Sequence, residues 1–245
     1  MNPIVLIPAR MAATRLPGKP LADIGGAPLI VRVLRQAQAA GIGPVAVAAG
    51  DIEIVQAVEA AGGRAVLTDP ALPSGSDRIL AALNALDSAR RHDVVINLQG
   101  DIPFGDPALV KLCAGLLDDQ PACDIATLVV PSAAPEDLSN PDLPKAIMSF
   151  GNNPNAGRAL YFTRSTLYGD GPVWRHIGVY GYRREALERF TAAPPSPLER
   201  REKLEQLRAL ELGLSIWAAV TDQAPIEVNS PEDLAQARAY AESLR

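Results

Sequence analysis

A chain of 245 residues, 48% of them hydrophobic and 21% charged, is long enough for a sizeable core, either as one large α/β domain or as a domain with an appended lobe. Its formal net charge of -5 and pI near 5.1 exclude a generic nucleic-acid or membrane surface, so an anionic ligand has to be met by a local basic cluster. The two cysteines, Cys113 and Cys123, lack metal-ligand spacing and are too few for a disulfide framework, which suits reduced thiols in the cytoplasm.

The first predicted element is a short buried strand at Ile4 to Ile7, a continuous apolar run stopped by Pro8. It is too short for the apolar region of a signal peptide, and no later stretch reaches the ~20 apolar residues of a membrane span, so the expectation is a soluble, unexported protein. The loop that follows carries Arg10, Arg15 and Lys19 among the small residues Ala12, Ala13 and Gly18, and is fenced by Pro17 and Pro20. A loop at the carboxyl end of a first buried strand lies where open α/β sheets bind ligands. Guanidinium groups clamp phosphate oxygens in pairs, lysine adds a compact charge, and small residues let backbone N–H groups approach, so a nucleoside triphosphate fits. The alternative is a surface loop of solvated cations. The stretch is not a P-loop, because Ala13 stands where the first glycine of GxxxxGK[ST] belongs and Lys19 is followed by proline.

Pro28 to Gly41 reads as a helix, Val45 to Ala48 as a strand, Ile52 to Ala61 as a helix capped by Asp51, and Ala65 to Leu67 as a third strand. This alternation predicts a parallel sheet with right-handed crossovers. A helix is expected after Pro73, capped by Ser74 or Ser76 and running to about Leu86. The buried strand Asp93 to Leu98 delivers Gln99, Gly100 and Asp101 at its carboxyl end. A carboxylate there, opposite the basic loop, can hold Mg²⁺ against phosphate oxygens; the competing reading is a turn aspartate. Pro107 to Leu117 is a helix and Ile125 to Val130 a strand. From Pro131 to Asn155 the composition shifts to proline, asparagine and small residues. Val173 to Arg183 alternates as a strand with two different faces. His176 lies on it, where a lone histidine is commonly structural, and His92 reads as a surface residue. Pro197 to Leu212 is an amphipathic helix ended by Gly213, Ile216 to Val220 a late strand, and Ser230-Pro-Glu-Asp the start of a final helix.

The run Ile7-Pro-Ala-Arg10 through Thr14-Arg-Leu-Pro-Gly-Lys-Pro-Leu21 resembles the signature of the 3-deoxy-manno-octulosonate (Kdo) cytidylyltransferases, sugar nucleotidyltransferases that activate acidic sugars with CTP. The similarity continues through Asn97-Leu-Gln-Gly-Asp101, Arg158-Ala-Leu-Tyr-Phe162, His176-Ile-Gly-Val-Tyr180 and Glu202-Lys-Leu-Glu-Gln-Leu-Arg208, nearly the whole chain. It implies a single doubly wound, mostly parallel, Rossmann-like domain, with an inserted lobe at 131–185 for sugar binding and dimerisation. It also implies transfer of CMP from CTP to the anomeric hydroxyl of Kdo, with release of pyrophosphate, for lipopolysaccharide biosynthesis. By the same resemblance Arg10, Lys19 and Asp101 are catalytic. Arg10, Arg15, Lys19, Ser74, Arg78 and Gln99 bind the nucleotide, and Arg158, His176, Tyr180, Glu205 and Gln206 bind the sugar. Mg²⁺ is the implied cofactor, held by Asp101 and Asn229. CTP and Kdo are the implied partners, with a homodimer and neither nucleic acid nor membrane.

Three positions depart from the family's pattern. Ile102 stands where a second acid often follows the central aspartate, Asn229 where an aspartate is usual, and Pro144 where valine precedes Lys145. An asparagine carbonyl can ligate Mg²⁺ but brings no charge. The rival readings are CMP transfer to a related acidic sugar, such as 8-amino-Kdo or a nonulosonate, and a non-catalytic nucleotide-binding relative.

Overall fold

A computed structural model describes residues 1–12, 16–169 and 171–244. They form two compact units, one of residues 1–111 and 225–245, the other of residues 112–224.

The first unit begins with β1 (Pro3–Ala9), in which Ile4, Val5, Leu6 and Ile7 are buried. It continues through α1 (Leu29–Ala40), β2 (Val45–Ala49), α2 (Ile52–Ala60), β3 (Ala65–Leu67), α3 (Gly75–Leu86), β4 (Val94–Leu98) and α4 (Pro107–Asp119), within which the division between the units falls. The apolar residues Leu29, Ile30, Val33, Leu34 and Ala37 recur at helical spacing and bury one face of α1. Gly41 ends that helix in the left-handed region, at φ 63, which glycine enters without a Cβ penalty. Ser74 caps α3 by accepting from the Asp77 amide.

The sheet of this unit runs β3-β2-β1-β4 and is parallel throughout, with Ala9 opposite Ala49 and Leu6 opposite Asn97. Successive strands step outward from β1 to β3, and the chain then returns to add β4 on the other side of β1. Strand order reverses between β1 and β4, and such a reversal opens a crevice at the carboxyl ends of the two strands. Gly100 lies just past β4, where an added Cβ would stand 2.7 Å from the Pro8 carbonyl oxygen, so the close approach of the two strand ends requires glycine.

The second unit contains β5 (Ile125–Ser132), α5 (Pro135–Ser139), β6 (Lys145–Ser149), β7 (Ala156–Thr163), β8 (Val173–Arg183), α6 (Arg184–Ala192), α7 (Pro197–Glu202), α8 (Gln206–Glu211) and β9 (Ile216–Val220). Its strands run β8-β5-β9-β7-β6, and β6 also pairs with β8, so the five close on one another. Only β5 and β9 are parallel; the other pairs are antiparallel. The expected mostly parallel sheet is therefore corrected to a parallel sheet in the first unit and a mixed one in the second. The physical reason is connection length: short links such as that from β6 to β7 favour antiparallel neighbours, whereas parallel pairs need a crossover. The stretch 131–185 lies within this unit, which begins earlier and ends later.

The single helix expected over 197–212 is also corrected. Lys203 adopts φ 56 and separates α7 from α8. The break lets the Arg208 guanidinium turn back on Glu199 as a fork, with Nε to Oε2 at 2.8 Å and Nη2 to Oε1 at 2.7 Å, while its face covers the Phe190 ring at 4.6 Å. Lys145 is wholly buried, its ammonium satisfied by the carbonyls of Asn140, Leu143 and Arg164. Cys113 and Cys123 are buried free thiols, and desolvation pushes the Cys123 pKa up to about 12.

The chain returns to the first unit with α9 (Pro231–Ser243), started by a capping box between Ser230 and Asp233. Arg238 Nε donates to the Asp23 carbonyl at 2.9 Å, and Tyr240 meets Phe104 edge to face at 4.9 Å. No helix among the described residues is long and apolar enough to cross a membrane.

Candidate active site

The crevice at the ends of β1 and β4 is a cavity of about 360 Å³. Its wall includes Arg10, Lys19, Ser74, Arg78, Gln99, Asp101 and Asn229. They arrive from separate stretches of the first unit: the segment after β1, the start of α3, which supplies Ser74 and Arg78, the turn after β4, which supplies Gln99 and Asp101, and the start of α9. Arg10 follows β1 directly. The Gly18 amide donates to the Met11 carbonyl at 3.2 Å, and a short 3-10 turn, Lys19–Leu21, presents Lys19. Arg15 lies outside the described residues.

The Lys19 ammonium donates to Asp101 Oδ2 at 3.1 Å, to the Val228 carbonyl at 2.9 Å and to Asn229 Oδ1 at 3.4 Å. What brings Asn229 there is a backbone bond, the Val228 amide donating to the Asp101 carbonyl at 2.9 Å, followed by the α9 cap. One cation thus sits among three oxygens drawn from the end of β4 and the start of α9. This oxygen set is chemically suited to a hard cation, and Lys19 marks where positive charge is accepted.

Arg78 is 2% exposed. Its Nη1 donates to Thr68 Oγ1 at 2.6 Å and to the Asp69 carbonyl at 3.1 Å. Burial first, and the charge of Arg10 second, pull its pKa below the usual guanidinium value. Ser74 Oγ donates to Asp77 Oδ2 at 2.6 Å, and Gln99 Nε2 donates to Asn97 Oδ1 at 3.2 Å.

Sequence reasoning missed Asp51. It is placed as an N-cap of α2, at φ -139 and ψ 144, but its side chain makes no cap bond. Its Oδ2 instead accepts from the Met11 amide at 2.7 Å. The one signal in the sequence was an acid two residues past a strand end and directly before a helix, which local rules assign to capping.

The residues expected to bind sugar lie in the second unit. His176 and Tyr180 share a face of β8, and their rings meet at 5.2 Å; Phe162 stands edge to face against His176, also at 5.2 Å. His176 Nε2 is 3.0 Å from Thr127 Oγ1, whose single proton goes to the carbonyl of Val179 at 2.9 Å or of Ile177 at 3.2 Å. The hydroxyl must then accept from His176, which fixes the Nε2–H tautomer and leaves Nδ1 as an acceptor. Desolvation lowers the His176 pKa to about 4, so the ring is neutral at physiological pH. Arg158 is on β7 with its side chain exposed. Glu205 precedes α8 and approaches Arg208 at 3.6 Å. Gln206 is buried, and its Nε2 has no hydrogen-bond partner among the described residues. A buried unpaired amide costs about 1–3 kcal/mol, which a ligand hydroxyl could offset.

The cytidylyltransferase family model matches residues 4–216. The 3-deoxy-manno-octulosonate cytidylyltransferase of Parvibaculum lavamentivorans is 56% identical over 239 residues, covering 97% of this chain and 92% of that protein. The enzyme of the same name from Rhodospirillum rubrum is 54% identical over 238 residues, covering 97% and 94%. Among solved structures, CMP:2-keto-3-deoxy-manno-octonic acid synthetase complexed with CTP superposes with a TM-score of 0.90 at 34% identity, covering 100% of both chains. A UDP-glucose pyrophosphorylase complexed with UDP-glucose, at 14% identity and a TM-score of 0.70 over 100% of both chains, shares the fold. Matched along almost its full length by sequence and by structure, the chain belongs to the 3-deoxy-manno-octulosonate cytidylyltransferase family of CTP-dependent nucleotidyltransferases.

Proposed function

We propose that this chain transfers CMP from CTP to the anomeric hydroxyl of Kdo and releases pyrophosphate. The observation that carries the nucleotide half is the cavity that joins Arg10, Lys19, Asp101 and Asn229 at the ends of β1 and β4. In the reaction the sugar oxygen forms a bond to the α-phosphorus while the bond from that phosphorus to the pyrophosphate oxygen breaks; the hydroxyl proton departs to solvent or phosphate. Little covalent chemistry falls to the protein, and its contribution is positioning and charge stabilisation. Arg10 and Lys19 neutralise the triphosphate, with Arg15 of the same loop. The N-terminal turn of α3, at Ser74 and Gly75, offers backbone N–H groups to an anion. Arg78 and Gln99 form the remaining polar wall.

Magnesium would be held by Asp101 and Asn229, the oxygens that the Lys19 ammonium already approaches. When bound there, magnesium would supply positive charge against the phosphates, with Asp101 and Asn229 as the residues that would hold it. Asp101 supplies the only carboxylate in this pair, and Asn229 orients its carbonyl without adding charge.

On the sugar side, neutral His176 offers Nδ1 to a hydroxyl, and Tyr180 offers a ring wall. The positive charge that a sugar carboxylate requires falls to Arg158. Glu205 and Gln206 take hydroxyl groups, which is the reading that gives the buried Gln206 amide a partner. The same reading makes the working protein a cytoplasmic homodimer that feeds lipopolysaccharide synthesis. Pyrophosphate release measured with CTP, Mg²⁺ and a panel of sugar acids tests the assignment. Kdo should give the highest kcat/KM, and preference for a nonulosonate or an 8-amino sugar would replace it.

A further inference from the structure

We infer that Asp51 is a positioning residue for the phosphate-binding loop, acting through the Met11 amide and the pair of arginines above Gly50. The inference rests on the reading that the cavity receives the phosphates of CTP.

The parallel ladder between β1 and β2 ends with Ala9 opposite Ala49, and one more backbone bond follows it, the Gly50 amide donating to the Ala9 carbonyl at 2.8 Å. Beyond that point β1 becomes the basic loop, and no further strand residue is available to hold it. Asp51 supplies the next bond from its side chain, Oδ2 accepting from the Met11 amide at 2.7 Å. The ladder is thus extended past the strand end by a carboxylate, and the residue fixed between these two bonds is Arg10.

Gly50 shows the same purpose from the other side. A Cβ there would stand 2.8 Å from Arg78 Nη1 and 3.1 Å from Arg10 Cβ, so glycine is what lets both arginines converge on this turn. Two guanidinium groups brought together repel, and Arg78 feels both the charge of Arg10 and the opposing charge of Asp51. Asp51 does not line the cavity. It therefore offsets the repulsion from behind the loop without presenting a negative charge to the phosphates. A local role as helix cap does not account for this arrangement, because the side chain makes no bond to α2.

The test separates the cap from the anchor. Asp51→Ser retains a good capping residue for α2 but is too short to reach Met11, whereas Asp51→Asn keeps an acceptor of the original length. CTP binding is measured by titration calorimetry without sugar, alongside KM for each substrate and a thermal melt. Asp51→Ser should weaken CTP binding by about tenfold, because the ligand must then order a loop that is no longer held in place, with the KM for Kdo near wild type and the melting temperature lowered only by the few degrees that one hydrogen bond is worth. Asp51→Asn keeps the backbone bond but loses the charge set against the two arginines, so its CTP affinity should fall between those of wild type and Asp51→Ser. A folded Asp51→Ser protein with wild-type CTP affinity overturns the inference. So does an Asp51→Asn protein as impaired as Asp51→Ser, or an Asp51→Ser loss that falls equally on both substrates. Wild-type protein that fails to bind CTP overturns the reading of the cavity itself, and this inference with it.

Discussion

Replacing Lys19 by alanine removes one ammonium that has two separable roles. In the free protein it ties Asp101, the Val228 carbonyl and Asn229 together, at 3.1, 2.9 and 3.4 Å. The side chains of Lys19 and Asp101 remain 17% and 25% exposed, so water screens the pair and its loss should reduce stability by about 1 kcal/mol. For a chain of this size that corresponds to a fall of about 2–4 °C in Tm. During turnover the same ammonium faces phosphate charge inside the cavity, where one fixed donor is worth about 10²–10³ in kcat, or roughly 3–4 kcal/mol. The catalytic loss should therefore exceed the stability loss several-fold. Pyrophosphate release at saturating sugar and a thermal melt on the same preparation measure both. A folded Lys19→Ala protein with kcat/KM within about threefold of wild type, a barrier change under roughly 1 kcal/mol, would refute the role assigned to the loop.

His176 has a folded-state pKa of about 4 against 6.5 for the free ring, so the unfolded chain binds the extra proton between those values. Its contribution is fully present above pH 6.5 and is lost as pH falls toward 4, by up to about 3 kcal/mol, and urea melts across this range should show an acid arm that His176→Gln flattens. His176→Ala should raise the KM for the sugar while leaving CTP affinity unchanged; loss of CTP affinity alone would assign the strand to the nucleotide instead. Asn229→Asp adds a carboxylate to the proposed metal pair and should lower the magnesium concentration for half-maximal activity when CTP is held low, and an unchanged requirement would remove Asn229 as a ligand. Gly100→Ala forces a Cβ to 2.7 Å from the Pro8 carbonyl, should reduce stability by about 1–3 kcal/mol and should impair turnover by displacing Asp101; denaturant melts and kinetics check both.

Elements governed by neighbours in sequence were legible before the structure. The β1 run, the stop of α1 at Gly41, the cap at Ser74 and the Ser230-Pro231 start of α9 all follow from local sterics and backbone hydrogen bonding. The same holds for the two-faced strand β8, whose alternation comes from the period of an extended chain. What escaped depended on distant partners. The break at Lys203 accompanies the turn of Arg208 onto Glu199, and the amphipathic pattern of 197–212 is equally compatible with one continuous helix. Asp51 satisfies every local criterion for a cap, yet its carboxylate serves an amide 40 positions earlier in the chain. The meeting of Lys19 with Asn229 spans almost the whole chain and could be anticipated only through the family resemblance. The mixed pairing of the second unit also lay beyond reach, because strand partners are chosen by tertiary packing and not by the strands' own composition.

The most direct test of the central claim is to incubate the purified chain with CTP, Kdo and Mg²⁺ and to identify the nucleotide product by mass spectrometry. The account predicts CMP-Kdo and pyrophosphate in equal amounts, formed only when all three components are present and abolished by Asp101→Ala. Pyrophosphate release without Kdo, or intact CTP and Kdo after prolonged incubation with a folded protein, would contradict it.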